Sequence, residues 1–500
     1  NVRVIRLGIR NKSGRTICPE VWFNELRLAG HNNQGGWAAV GRVQAKLADF
    51  GTVNLTGSAA TIGFGGIQQK LNERRLEETW QYDVSSNFEL GKFFPQSLGV
   101  TIPMYIGFTE TFITPKYNPF NPDVELKPLY SALRGEQADS LKNITQTYQS
   151  RYSVNFTNVA KKPSGKRAPL PWDISNFNVS YAFSRAFDRS PQIERHLVET
   201  YRASIGYSFS PKAKPFQPFK KLIKGRKLPL LKQAQIDYLP QNVTLRMDAD
   251  RLYSETLNRN NDLFKSLTPV LYDKNFTLTR FYNMNWKLMP SLGVDYTATT
   301  NARIQEPIGE LNTEEKRDTV RQELYDFGRM TNYNQQANVT YGVPFSKIKP
   351  LNWISTDLRY SSTFSWLQAP PNLKAVGNTI GNSAEKSINS NLNLIKLYNK
   401  IPALRSINRG VAPSPRKKKK KKEDDKKDDK EEKSKKKDLN GFHQMLRGIM
   451  MIRNINVAYT VSDANTLPGF NRTIDHLGNN FLRSAPGLPY AFGNNYIELI

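Results

Sequence analysis

WDISNFNVSYAFSRAFDRSPQIERHLVETYRASIGYSFS, which runs from Trp172 to Ser210, is the stretch that decides the fold. From Phe177 to Phe187 the odd positions are mostly aromatic or aliphatic, and the even positions are Asn, Ser and Ala. The same alternation returns after the DRSP break. Because a period of two is typical of β-strands, this stretch predicts two long antiparallel strands joined by a turn.

Each predicted strand has an apolar side and a polar side. The apolar positions are Phe177, Val179, Tyr181, Phe183, Tyr201, Ile205 and Tyr207. The polar positions are Asn178, Ser180, Ser184, Ser204 and Ser208. In a soluble sandwich the apolar side would be the core. In a membrane barrel it would face lipid or a partner protein, and the polar side would line a water-filled lumen.

The alternation recurs along the chain and predicts about fourteen strands, several of them about 12 to 16 residues long. Strands of globular proteins are most often about 5 to 6 residues long. A tilted membrane strand needs about 9 to 11 residues, so strands this long can cross a bilayer and project beyond it. We therefore predict an all-β fold that forms part of a very large transmembrane antiparallel β-barrel with helical loop inserts.

The predicted domain organisation has three parts. Residues 1–35 are expected to form a lead-in segment of short strands, and residues 36–500 to hold the barrel strands. Within one connection, residues 412–439 form a Lys/Asp-rich insert, and its part from Arg416 to Asp438 contains no apolar residue. Because such a segment has nothing to bury, we expect it to be a disordered, solvated tether.

Positive charge is concentrated in every second connection between the predicted strands. Lysines and arginines cluster near residues 161–167, 212–227 and 347–349 and in the lysine run, whereas the alternate connections carry both charges. Outer-membrane barrels have mostly short periplasmic turns, and the tight Pro-containing turns fall on the basic side. We therefore expect the Lys-rich connections to be periplasmic.

The composition argues against several classes of protein. The net charge of +28 is compatible with a soluble nucleic-acid-binding protein, which is the weakest of three alternatives. There is one cysteine, Cys18, and the four histidines show no metal-ligand spacing. No catalytic constellation or nucleotide-binding loop is recognisable. We expect no enzyme activity and no cofactor.

Five motifs near the start of the chain carry a resemblance to a known family. EVWFNELRLAG, GGWAA, AKLADFG, NFELGKFFP and PKYNPFNPDVEL occur in this order between Glu20 and Leu126. They resemble the SprA/Sov family, the outer-membrane translocon of the type 9 secretion system. The family-motif residues are Trp22, Phe23, Asn24, Glu25, Leu26, Asp49, Phe50 and Gly51.

The resemblance implies a function and partners. It implies a giant β-barrel in the Gram-negative outer membrane that passes folded proteins with C-terminal sorting signals to the cell surface, and that serves gliding motility in some members. The implied partners are the secreted cargo, a PorV-type outer-membrane barrel protein and a periplasmic plug protein. It also leads us to expect that the chain is a piece of a larger protein. The remaining alternative is a porin or receptor barrel for small solutes, which would close in about 16 to 18 strands.

Overall fold

The structure is a computed structural model that describes residues 5–24, 35–70, 73–163, 170–211, 215–218, 235–260, 268–408, 441–474, 477–479 and 485–494. Its strands are β1 (Ala38–Leu47), β2 (Gly51–Ala60), β3 (Glu77–Glu89), β4 (Val100–Thr101), β5 (Pro103–Pro115), β6 (Tyr117–Asn118), β7 (Asn121–Glu125), β8 (Thr147–Lys161), β9 (Phe177–Arg189), β10 (Ile193–Phe209), β11 (Asn242–Asn258), β12 (Leu271–Met289), β13 (Leu292–Arg303), β14 (Arg329–Val343), β15 (Ile354–Leu367), β16 (Asn378–Asn393) and β17 (Asn454–Phe470).

Helices occupy the connections. They are α1 (Leu126–Ala132), α2 (Glu136–Thr145), α3 (Glu314–Tyr325), α4 (Leu394–Tyr398), α5 (Pro402–Asn408), α6 (Gly441–Ile449) and α7 (Leu488–Ala491). Short 3₁₀ turns cover Leu90–Phe93, Gln96–Leu98, Ile174–Asn176, Phe345–Lys347 and Pro371–Val376. No helix in the described part of the chain is long and apolar enough to cross a membrane.

One antiparallel sheet dominates the molecule. Fourteen strands form a single path in the order β1-β2-β3-β5-β8-β9-β10-β11-β12-β13-β14-β15-β16-β17, with β4 paired to β8 and a separate β6-β7 hairpin. The strands on the path are 10 to 19 residues long. This confirms the predicted β-rich fold with one large antiparallel sheet and helical inserts. The alternation in the sequence predicts about fourteen strands, and the path has that number.

Successive strands run up and down, so the connections alternate between two edges of the sheet. One edge is called the basic rim below, and the other edge the opposite rim. The connections on the basic rim are residues 48–50, 90–102, 162–176, 210–241, 290–291, 344–353 and 394–453. The basic connections predicted from the sequence therefore lie on one edge. Their segments 164–169, 212–214, 219–234 and 409–440, which include the lysine run, are outside the described residues.

The start of the chain differs from expectation. Residues 5–24 form no strand, although the sequence predicts short strands there. Their large apolar side chains are exposed, and Leu7 and Ile9 are more than half exposed. A short strand needs a neighbouring strand and a covered face to be stable, and the described part of the chain provides neither for residues 5–24.

The best-packed region lies on one face of the sheet near the opposite rim. The chain that follows β17 folds back over β13 to β16, and its described parts, residues 471–474, 477–479 and 485–494, are called the strap below. Phe364, Trp366 and Ile380 of the sheet are buried against Ile474 and Tyr490 of the strap. A smaller cluster forms where Val320 of α3 packs against Leu278, Ala302 and Ile304.

Candidate functional site: the two faces of the sheet

The cross-strand register brings the predicted apolar residues together. Phe177 pairs with Tyr207, Val179 with Ile205, and Phe183 with Tyr201. Directly paired residues project from the same side of a sheet, so Tyr181 and the other predicted apolar positions share one face, called the apolar face below. The rings of Phe177 and Tyr207 lie 5.0 Å apart, and those of Phe183 and Tyr201 lie 4.9 Å apart.

The same face continues from β10 to β17. From Ile205 the paired residues are Met247, Arg280, Thr300, Tyr333, Trp366, Ile380 and Leu467. On β9 and β10 this face is open: Val179, Tyr181 and Ile205 are 44%, 41% and 46% exposed. Exposed apolar patches on protein surfaces often serve as contact sites for lipid, ligands or other proteins.

Towards the opposite rim the apolar face becomes charged. Arg185 lies 3.6 Å from Glu199, which also accepts a hydrogen bond of 2.9 Å from the Tyr201 hydroxyl. On neighbouring strands, Tyr148 donates to Glu110. Together with the charged groups of β11 and β12 described next, these residues form a belt of carboxylates, cations and tyrosines, called the charged belt below. The belt limits the height of the apolar face.

The most buried part of the charged belt surrounds Glu306, which follows β13. Its carboxylate accepts a hydrogen bond of 2.9 Å from Arg251 and lies 3.7 Å from the Lys274 ammonium, and its side chain is only 3% exposed. Lys274 also donates to the carbonyl oxygen of Pro307 at 2.9 Å. These contacts fix the connection between β13 and α3 to β11 and β12. Nearby, Glu255 is 2% exposed and accepts a 2.9 Å hydrogen bond from the Tyr253 hydroxyl.

The strap covers the apolar face on β13 to β16. Ring centroids of Phe364 and Tyr490 lie 6.2 Å apart in an edge-to-face arrangement. Side chains of the sheet then bind backbone carbonyl groups of the strap: Gln335 donates to Ala491 at 2.8 Å, and Trp366 donates to Arg472 at 3.2 Å. These bonds satisfy backbone groups that would otherwise be buried without a partner.

Asn382 makes the densest of these contacts. Its amide donates to the carbonyl oxygens of Tyr490 and Asn494, both at 3.0 Å, and the residue is 4% exposed. The backbone of Gly493 has φ of 93°, and a Cβ there would lie 2.7 Å from the Cβ of Ala384. The strap is therefore held by specific contacts as well as by apolar packing.

The second face of the sheet, called the polar face below, carries the predicted polar residues. Ser204 pairs with Ser180, and Gly206 with Asn178, so Ser184 and Ser208 lie on the same side. The charged residues that the register places on this face are Arg42, Lys46, Arg151, Arg202, Arg246, Arg303, Arg329 and Arg359, together with Glu77, Asp83, Glu89, Asp188, Asp248, Asp250, Asp273, Asp295, Asp357 and Glu385. Asn, Ser, Thr, Gly and Ala fill most other positions.

Three family-motif residues form a turn at the basic rim. Phe50 packs between Phe88 and Phe93, with ring centroids 5.3 and 4.9 Å away. Asp49 pairs with Lys92 at 2.6 Å. The Lys92 ammonium donates a hydrogen bond to the Asp49 carboxylate and attracts its charge, which lowers the pKa of that carboxyl group. The turn is thus tied to the next connection on the same rim.

Gly51 completes the turn, and a Cβ at this position would lie 2.4 Å from the carbonyl oxygen of Asn87. The close approach of β2 and β3 therefore requires glycine. The earlier family-motif residues are not brought to this turn: Trp22, Phe23 and Asn24 are exposed, and Glu25 and Leu26 are outside the described residues.

The remaining candidate groups are the cysteine, the histidines and the acidic side chains. Among the residues that the structure describes, no three His, Cys, Asp or Glu side chains are grouped so as to hold a metal ion. Cys18 is exposed, and the imidazole of His196 lies 2.9 Å from the Thr256 hydroxyl. His31, His476 and the side chain of His443 are outside the described part.

Sequence reasoning missed the charged belt and the strap. The belt was detectable, because Glu110, Arg185, Glu199 and Arg251 interrupt otherwise apolar alternating positions. The strap had no periodic signal, since its residues form irregular backbone and a single short helix.

Comparison with known proteins supports a role in secretion. Residues 1–129 match the family model SprA_N, which describes a motility related/secretion protein. A search of curated proteins found no match.

Proposed function

We propose that this chain, which belongs to the SprA family of motility related and secretion proteins, forms part of the wall of a protein-conducting channel in the Gram-negative outer membrane. The channel passes folded proteins with C-terminal sorting signals to the cell surface, as the type 9 secretion translocon does, and in some members this serves gliding motility. The strand stagger described next is the observation that carries the proposal.

The strands are displaced steadily along their length relative to their neighbours. One row of paired residues begins at Leu47, the last residue of β1, and passes through Phe88, Phe156 and Ala249 to Met330 on β14. Leu47 lies at the basic rim, whereas Met330 is thirteen residues from the end of its strand at that rim. The row therefore climbs thirteen residues over ten strand-to-strand steps.

This stagger corresponds to a definite strand tilt. A rise of about 3.3 Å per residue and a separation of about 4.8 Å between strands give a tilt of about 40° relative to the normal of the rim. Strands of outer-membrane barrels are tilted by about 35–45°. Closing a sheet into a barrel requires such a constant shear, so the stagger supports a barrel wall.

The height of the apolar face fits a bilayer. On β10 it extends ten residues, from Phe209 at the basic rim to Glu199 in the charged belt. With about 3.3 Å per residue and a tilt of about 40°, that length spans about 25 Å along the membrane normal, which is the height of the apolar band of such barrels. The apolar face would contact lipid or a partner barrel, and the charged belt would lie at the outer interface.

The polar face would line the lumen. Its hydroxyl and amide side chains are hydrated and offer a passing protein little apolar surface to bind. We propose that the chain guides cargo passively and that the energy for transport comes from elsewhere. A wide lumen needs a seal when idle, which is consistent with a periplasmic plug protein and with a PorV-type barrel protein as partners.

The basic rim would face the periplasm. The tight turns at residues 48–50 and 290–291 lie on this edge, together with the two long connections 210–241 and 394–453, and the helical inserts α1 to α3 lie on the other. Barrels in outer membranes have short periplasmic turns and longer outer loops. At the basic rim, Lys400 donates a 2.9 Å hydrogen bond to the carbonyl oxygen of Pro350, so two basic connections are joined.

Polymer exclusion tests the proposal. The native full-length protein, freed of partners, is inserted into liposomes, and entry of polymers of increasing size is followed by swelling. We expect entry of polymers as large as a 100-residue domain, whose radius of gyration is about 13 Å. Exclusion of all but small solutes would instead identify a porin or receptor barrel.

A further inference from the structure

The polar face is nearly neutral in a chain of strongly positive charge. The register places eight basic and ten acidic residues on it, whereas the whole chain carries +28. The excess of positive charge therefore lies elsewhere in the chain. If charged residues were distributed at random over the chain, a face this large would also be basic. Its near-neutrality therefore needs an explanation.

Two pairs of opposite charges on the polar face are in contact across neighbouring strands. Arg151 of β8 lies 3.1 Å from Asp188 of β9, and Arg202 of β10 lies 3.3 Å from Asp250 of β11. Each of these two contacts joins opposite charges on neighbouring strands, so at these positions the charge is neutralised locally as well as over the whole face. Exposed pairs of this kind add little stability, so their main effect is on the electric field above the face.

Further acidic groups on this face are held by hydrogen bonds or by a cation on the same strand. Asp248 lies 2.8 Å from Arg246 and accepts a 2.6 Å hydrogen bond from Ser204. Asp83 accepts a 2.6 Å hydrogen bond from Thr109. The guanidinium of Arg246 also covers the ring of Phe281, 4.5 Å from its centroid, which shields a large apolar side chain on this face.

We infer that the polar face is built to pass folded proteins of either net charge without retaining them. This inference rests on the proposed function, since it takes the polar face to be the lumen wall. Opposite charges on strands about 4.8 Å apart are closer than the Debye length of about 8 Å at physiological salt, so their fields cancel before they reach far into the lumen. Selection of cargo is then left to the rims and to partner proteins.

Ion selectivity of the native full-length protein in a planar bilayer tests the inference. At 10 mM salt the Debye length is about 30 Å, so an unbalanced wall would be felt across much of the lumen. In a gradient of about 10 to 100 mM KCl we expect a reversal potential near zero. A strong preference for either ion in the native protein would contradict the inference.

A charge variant makes the test specific to this face. Replacing Asp83, Asp188, Asp248 and Asp250 by Asn changes the face from two excess negative charges to two excess positive charges, and we expect anion preference to appear. The matched control replaces Glu136, Asp139, Glu314 and Glu315, on α2 and α3, by their amides, which changes the total charge equally. Equal responses of variant and control would contradict the inference, because only total charge would then matter.

Export of two forms of one folded reporter, resurfaced to opposite net charge, provides the second measurement. We expect the native channel to export both forms at rates within about twofold, and the Asp→Asn variant to export them at rates that differ by about tenfold or more, which is about 1.4 kcal/mol. A tenfold difference between the two export rates in the native channel would overturn this inference but leave the proposed function intact. Absence of both conductance and export would instead contradict the proposed function on which it rests.

Discussion

Tyr207 and Phe364 lie in one row of paired residues, five strands apart, but at different distances from the basic rim. Tyr207 is two residues from the end of β10, whereas Phe364 is ten residues from the start of β15. The row therefore rises towards the opposite rim as it crosses the sheet. As a result, Phe364 lies beneath the strap and is 1% exposed, whereas Tyr207 remains partly exposed.

An arginine introduced on the apolar face should destabilise the protein, whereas one on the polar face should not. Tyr181 is four residues from the basic rim on β9 and lies near the middle of the proposed lipid-facing band. We expect Tyr181→Arg to cost about 2–4 kcal/mol of folding free energy in a bilayer, because arginine would enter hydrocarbon. Denaturant titration of the protein in lipid vesicles measures the cost.

The control for Tyr181 is on the same strand. Ser184→Arg places the same side chain on the exposed polar face, and we expect a change within about 0.5 kcal/mol. Ser180 is a poorer control because its hydroxyl accepts a 2.8 Å hydrogen bond from the backbone of Asn158. Equal costs at Tyr181 and Ser184 would show that the two faces have the same surroundings.

The strap should loosen when its main anchor is removed. Asn382→Leu deletes the amide that binds the carbonyl oxygens of Tyr490 and Asn494, and leaves them buried without that donor. We expect the strap to be weakened by about 2 kcal/mol, which raises its detached population about 30-fold. Limited proteolysis within the strap measures this population.

Asn389→Leu is the matched control for the strap. Asn389 is on the same strand but on the polar face, where it pairs with Ala458, and it is exposed. We expect no change in cleavage of the strap. If both variants were cleaved at the same rate, the strap would not depend on Asn382.

The strap also depends on glycine at position 493. Gly493→Ala would require an alanine at φ of 93° and would bring its Cβ 2.9 Å from the Tyr360 hydroxyl oxygen. Strain of this kind costs about 1–3 kcal/mol, so strap proteolysis should accelerate about 5- to 150-fold. Gly441→Ala, at a position where a Cβ meets no atom within 4 Å, should leave the rate unchanged. Unchanged cleavage of both variants would refute the described fit of Gly493.

Glu306 should be essential for fixing the connection that follows β13. Glu306→Gln removes the charge that lies against Arg251 and Lys274, which are themselves 17% and 11% exposed. Removing one partner of a buried ion pair costs about 3–5 kcal/mol of stability. We expect a loss in the lower part of this range, because the glutamine side chain keeps one hydrogen-bond acceptor. Hydrogen exchange of residues 304–311 reports the loosening.

Glu315→Gln provides the comparison for Glu306. Glu315 lies in the first turn of α3 and is exposed, so its neutralisation should change exchange in this connection by less than about twofold. If the two variants behaved alike, the contacts of Glu306 with β11 and β12 would contribute nothing to local stability.

The strands could be predicted because their signal is local. Val179, Tyr181 and Phe183 alternate with small or polar residues within a single strand, and this period is independent of the neighbours. Because successive strands run up and down, every second connection lies on the same edge of the sheet, so the shared edge of the basic connections could also be predicted. The same reasoning placed Ser204 and Ser208 on the opposite face from Ile205, and the register has them there.

The covered part of the apolar face could not be predicted. Trp366 on β15 and Tyr181 on β9 belong to the same kind of alternating pattern, but Trp366 is buried by Ile474 and Tyr490, which lie more than a hundred residues further along the chain. Such contacts depend on the fold of irregular backbone, for which sequence has no periodic signal. Within residues 5–24 the expected short strands do not form for a related reason, since extended residues form a strand only beside a partner strand, and none of the described strands pairs with them.

Cysteine scanning along β9 tests the central claim most directly. With Cys18→Ser as background, and with any other cysteine of the full-length protein also replaced by serine, single cysteines are placed at consecutive positions from Asn178 to Ser184 in the full-length protein in its membrane. We predict that a fluorophore at Val179, Tyr181 and Phe183 is quenched by nitroxides in lipid chains, and that thiols at Asn178, Ser180 and Ser184 react with a membrane-impermeant reagent. Reaction with the aqueous reagent at every position, or quenching at the even positions, would contradict the proposal that the apolar face meets lipid and the polar face lines the lumen.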